Sequence, residues 1–120
     1  MANSRRVLRI DAEIQKSLAK IISKMDDTLI TNSMVSIMKV ETFADLSLSK
    51  IYISTLGGLE NKQKVVEKLN SIKKEIRYEL AHEMKFRSVP DLLFIVDDVT
   101  ERAEKVLKLF EKIESQDNKN

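Results

Sequence analysis

A chain of 120 residues with 42% hydrophobic side chains has the length of one domain and enough apolar mass for a core without covalent staples. The absence of cysteine removes thiol nucleophiles, disulfides and thiolate metal sites, and a single histidine, His82, gives no basis for a histidine metal cluster or a Ser-His-Asp triad. The formal charge of +2 is unevenly spread: residues 1–24 carry six basic and two acidic side chains and residues 62–90 eight and four, while 25–61 and 91–120 are both acidic.

In chain order, Val7, Ile10, Ile14, Leu18, Ile21 and Met25 recur every three or four residues, with Arg5, Arg6, Arg9, Lys16, Lys20 and Lys24 largely off that stripe. This spacing predicts an amphipathic helix. Met34 to Glu41 and Leu46 to Thr55 read as strands, the second placing Ile51 and Ile53 on one face and Lys50 and Tyr52 on the other. Thr42-Phe43-Ala44-Asp45 is short enough for a hairpin connection, and Gly57-Gly58 ends the second strand. A long helical pattern follows from about Asn61 to Phe86 through Leu69, Ile72, Ile76, Leu80 and Met84, as one kinked helix or two. The apolar run Leu92 to Val96 reads as a third strand, central in the sheet or buried on both faces. Thr100 to Ile113 gives a last amphipathic helix, with Asp98 and Glu101 spaced as a capping box.

The resulting order, α-β-β-α-α-β-α, is that of an α+β domain: a three-stranded sheet covered on one face by helices, with an added C-terminal helix. The expected domain is 1–114, with 115–120 as a disordered tail. On one face of the sheet the two basic segments would become neighbours, forming the positive footprint expected for nucleic acid. Solvated helix faces would carry the same charges. No stretch approaches the roughly 18 apolar residues of a membrane span, so the expectation is a cytoplasmic protein with no membrane segment.

Asp45-Leu46 ahead of Lys50-Ile51-Tyr52-Ile53-Ser54, then Ile76-Arg77, then Arg87-Ser88-Val89-Pro90-Asp91-Leu92-Leu93-Phe94 with Asp97, resembles the motif series of the ribosome-binding factor A family, and Arg6-Val7 is similar to its opening motif. The likeness runs from about Arg5 to Ile113. It implies a type II K-homology fold lacking the GxxG loop, in a non-catalytic factor that binds the free small ribosomal subunit and assists maturation of its rRNA. The further expectations are no cofactor, no small-molecule substrate and a monomer. Members usually bend the long helix at Ala-x-Gly; the matching positions here are Ile72-Lys73-Lys74, without glycine.

The residues expected to meet RNA phosphate are Arg5, Arg6, Arg9, Lys73, Lys74, Arg77, Lys85 and Arg87. Three arginines at a helix start oppose the macrodipole, which makes more sense for anion binding than for support. Arg77, beside core Ile76, could fork onto a phosphate or pair with a carboxylate such as Asp91 or Asp97. Asp97 and Asp98 suit structural roles better than catalysis, and His82 reads as a surface residue. Met25, Met34, Met38 and Met84 read as core filler. Of the few aromatics, Tyr52 and Tyr78 stay open as base contacts. The competing function is a protein-binding or dimerising adaptor whose basic faces never touch RNA.

Overall fold

The computed structural model describes residues 4–84 and 89–97. Helix α1 (Arg5–Ser23) opens the chain, followed by a short α2 (Thr28–Ser33), strands β1 (Ser36–Thr42) and β2 (Leu48–Ser54), helices α3 (Leu59–Ser71) and α4 (Lys73–Met84), and strand β3 (Asp91–Val96). The expected last helix, the Asp98/Glu101 capping box and the tail lie outside the described residues.

Each element follows from local chemistry. Ser4 caps α1 by accepting from the Val7 amide, and the apolar stripe Val7, Ile10, Ile14, Leu18 and Ile21 is buried. Helix α2 begins where the Asp27 carboxylate accepts from the Ile30 amide. It ends at Met34 with φ at 48°, a left-handed geometry more usual for glycine. Met34, 66% exposed, and Met38, 48% exposed, are therefore not core filler; Met34 caps a helix end and Met38 sits at a bulge where the β1–β2 register shifts. Met84 is buried and Met25 packs against the core as expected.

Strands β1 and β2 form an antiparallel hairpin, and β3 pairs parallel to β2, giving the order β1-β2-β3. The third strand is thus an edge strand, not the central one, and Leu93 and Ile95 are only half-buried. Its apolar run reflects one face in the core and a second face left partly open. Alternation assigns Val40, Ile51, Ile53, Leu92 and Phe94 to the helix side, where they share one core with Ile14, Leu18, Leu69, Ile76 and Leu80.

Polar side chains fasten helices to both outer strands. Asp11, itself buried, accepts from the Thr42 amide at 3.0 Å, and Gln15 donates to the Ile37 carbonyl at 3.0 Å. Across the sheet, the Asn70 side chain accepts from the Phe94 amide and donates to the Phe94 carbonyl, both at 2.9 Å, as a neighbouring strand would. Two residues later Ile72 leaves helical geometry (φ −114°, ψ 18°), so the long helical segment is broken there without a glycine.

In the hairpin, Leu46 takes a positive φ of 61° and Asp45 accepts from both the amide and the hydroxyl of Ser47. These bonds, the hydroxyl first, favour the charged form and hold the Asp45 carboxyl below its ordinary range. A folded value below the unfolded one means the bonds stabilise the hairpin above the ordinary carboxylate range, and that contribution fades as pH falls through the Asp45 midpoint. An NMR titration should find that midpoint depressed, and Ser47→Ala should return it towards the ordinary value; an unchanged midpoint in Ser47→Ala would show that another group sets it.

Candidate nucleic-acid interface

The break at Ile72 makes Lys73 the first residue of α4, so Lys73 and Lys74 project from a helix start beside β3. A groove of about 770 Å³ runs between the two elements, with Lys73, Lys74, Arg77, Tyr78 and Ala81 along α4 and Val89, Asp91, Leu92 and Leu93 opposite; Leu48 of β2 joins its floor. The walls differ in character: cations and an exposed tyrosine face a mainly apolar wall in which Asp91 is the one acidic side chain. Neither Lys73 nor Lys74 is paired with a carboxylate among the described residues. Their ammonium groups are therefore available to an external anion.

Arg77 is engaged differently. Its Nε and Nη2 both donate to the Val89 carbonyl, at 3.0 and 2.6 Å, and its Nη1 lies 3.4 Å from the Asp91 carboxylate. The rigid fork of a guanidinium suits this double grip on one carbonyl. Arg77 thus takes the carboxylate partner foreseen in sequence, and adds a backbone clamp that sequence did not reveal. Arg77→Ala should destabilise the fold by about 1–3 kcal/mol, because the Val89 carbonyl loses its partners. Urea unfolding with no measurable loss would show that solvent replaces the clamp.

Arg5, Arg6 and Arg9 are exposed on the first turns of α1, and none has a carboxylate partner among the described residues. Helices α1 and α4 do pack together, but antiparallel: Lys20 pairs with Glu83 at 3.6 Å, and Lys24 shares a recess with Tyr78 and Glu79. At 1.5 Å per helical residue, Arg9 is about 22 Å along α1 from Lys24, so the N-terminal arginines lie far from Lys73 and Lys74. The two basic segments share a layer yet form two separate groups. Sequence put the helices on one face but carried no information on their relative direction. Lys85 and Arg87 lie outside the described residues.

Tyr78, 69% exposed, stands at the rim of the groove, its ring centroid 4.6 Å from that of His82, which sits on the surface as expected. Among the described residues no group of three or more His, Cys, Asp or Glu side chains could hold a metal ion, and no helix is long and apolar enough to cross a membrane.

A mixed three-stranded sheet with helices on one face, a broken helix pair before a parallel edge strand, and cations at the break define a K-homology-like domain. Solved structures agree. A solution structure from Thermotoga maritima, described as a putative ribosome-binding factor A, is 28% identical with a TM-score of 0.68, covering 79% of this chain and 90% of that one. The crystal structure of ribosome-binding factor A from Thermus thermophilus superposes with a TM-score of 0.65 at 19% identity, over 75% and 94% of the two chains. The family model for ribosome-binding factor A matches residues 6–110, and this chain belongs to that family. Ribosome-binding factor A from Finegoldia magna is 32% identical over 117 residues, 97% of either protein, and that from Lachnoclostridium phytofermentans is 34% identical over 98% of this chain and 86% of the relative.

Proposed function

We propose that this protein is a non-catalytic ribosome assembly factor that binds the free small ribosomal subunit through its rRNA and assists maturation of that RNA. The observation that carries the reading is the groove beside the helix break, where two lysines without a carboxylate partner among the described residues stand over a mainly apolar floor. Phosphate neutralisation by such cations supplies most of the affinity in sequence-independent RNA binding. Family membership supports the choice of ribosome, and coordinates of the Thermus thermophilus relative have been fitted into a map of its complex with the 30S subunit. Action as a monomer in the cytoplasm belongs to the same proposal.

The test is sedimentation of the protein with purified free small subunits and, separately, with whole ribosomes. Co-migration with the free subunit alone is expected. No co-migration with either, together with capture of a protein partner insensitive to salt, would replace this reading by the adaptor.

A further inference from the structure

The sheet has a second face, turned away from the helices. Strand register arranges it as three rows: Lys39, Tyr52 and Ile95; Glu41, Lys50 and Leu93; and Leu48 beside Asp91, with Phe43 donating its amide to the Leu48 carbonyl at the hairpin end. No described helix lies on it. Such a face is usually polar in a small α+β domain, yet this one presents two aromatic rings, and Phe43 is 42% exposed. Each ring has a lysine above it: Lys50 Nζ is 5.5 Å from the Phe43 centroid, and Lys39 Nζ is 5.9 Å from that of Tyr52. Glu41 shares the Lys39 ammonium at 3.0 Å, which leaves Lys50 as the cation on this face without a carboxylate partner among the described residues.

We propose that this face is a platform for single-stranded RNA, on which Tyr52 and Phe43 stack against bases while Lys50, and secondarily Lys39, meet the flanking phosphates. Rings beside cations match a single strand, whose bases present their faces and whose backbone is anionic. A duplex hides its base faces and would gain nothing from the rings. The platform is also continuous with the basic groove, because Leu48 and Leu93 belong to both. A strand held at Lys73 and Lys74 can therefore cross the β3 edge onto the sheet. The inference rests on the RNA-binding role proposed above.

The chain has no tryptophan and two tyrosines, so Tyr78→Phe leaves Tyr52 as the sole source of tyrosine emission. In that background the full chain is titrated with an oligoadenylate of about 12 nucleotides, within the range of single-strand sites, and with the same strand annealed to oligouridylate. Stacking should quench the tyrosine emission with the single strand and not with the duplex. Tyr52→Leu, which keeps an apolar side chain in place, should weaken single-strand binding about 5- to 150-fold, the range expected for one base stack. Unchanged emission at saturation, or equal affinity in Tyr52→Leu, overturns the platform. Emission shielded from acrylamide in the free chain and indifferent to RNA also overturns it. The quenching decides the matter even if Tyr52→Leu does not fold. Sedimentation separates the two proposals: if the parent chain and Tyr52→Leu bind free small subunits equally, only the platform falls, whereas a parent that binds no subunit removes the assembly role itself.

Discussion

Leu80→Ala is expected to lower the unfolding free energy by about 2–5 kcal/mol, the range for truncating a buried leucine. The side chain is fully enclosed, and it shares the core with Ile76 on its own helix, Leu18 on α1 and Phe94 on the sheet. Helix α4, helix α1 and the sheet would have to close together to fill the space left behind, and close packing on all sides limits that collapse. Tyr78→Ala, two residues earlier on the exposed side, should stay within about 0.5 kcal/mol, as surface changes usually do. Urea unfolding of both variants tests the helical phase of α4. A loss below about 0.5 kcal/mol for Leu80→Ala would mean that α4 turns another side to the sheet.

Substituting Lys73 and Lys74 together by alanine should weaken binding to free small subunits and flatten its salt dependence. If the protein neutralises about five phosphates, the log–log slope is near −4 to −5, and losing two contacts brings it up by about 2. The fold should be unaffected, because neither side chain is buried or paired within the described residues. Arg77 is left in place, since its removal would release the Val89 carbonyl and confuse binding with stability. Lys64→Ala is the control: Lys64 is exposed, paired with Glu60 at 3.7 Å, and placed near the start of α3 away from the groove. Unaltered affinity and slope in the double variant would move the contact surface off α4.

The legible parts of the fold were those with a strong period. The α1 stripe, the alternation in β2 and the series Leu69, Ile76, Leu80 and Met84 each assigned an element and its buried side. Helix α2 escaped because six residues are too few to show a period, although Asp27 capping Ile30 was its readable signal. The position of β3 escaped because a parallel strand with one open face can be as apolar as a central one, and strand order is a long-range property. At the candidate site, the cations were visible in sequence and their commitments were not. Lys73 and Arg77 look alike as charges on one helix, yet Arg77 is bound to the Val89 carbonyl while Lys73 has no partner among the described residues. Tyr52 was visible as an open contact; the lysine above it depends on cross-strand register across a bulge.

The break between α3 and α4 carries no glycine, and its angle therefore needs another source. Asn70, two residues before Ile72, grips Phe94, and Arg77, five residues after it, grips Val89 just ahead of the same strand and lies against Asp91 at its start. The joint is a truss: two struts, α3 and α4, meet at Ile72, and β3 is the tie bar fixed to each of them. A truss holds its angle by the length of its tie, so backbone freedom at the apex is unnecessary, and a lysine can occupy a position where flexibility would otherwise be required. Any load that an RNA places on Lys73 and Lys74 is then carried through both struts into the edge of the sheet, rather than absorbed as bending at the joint.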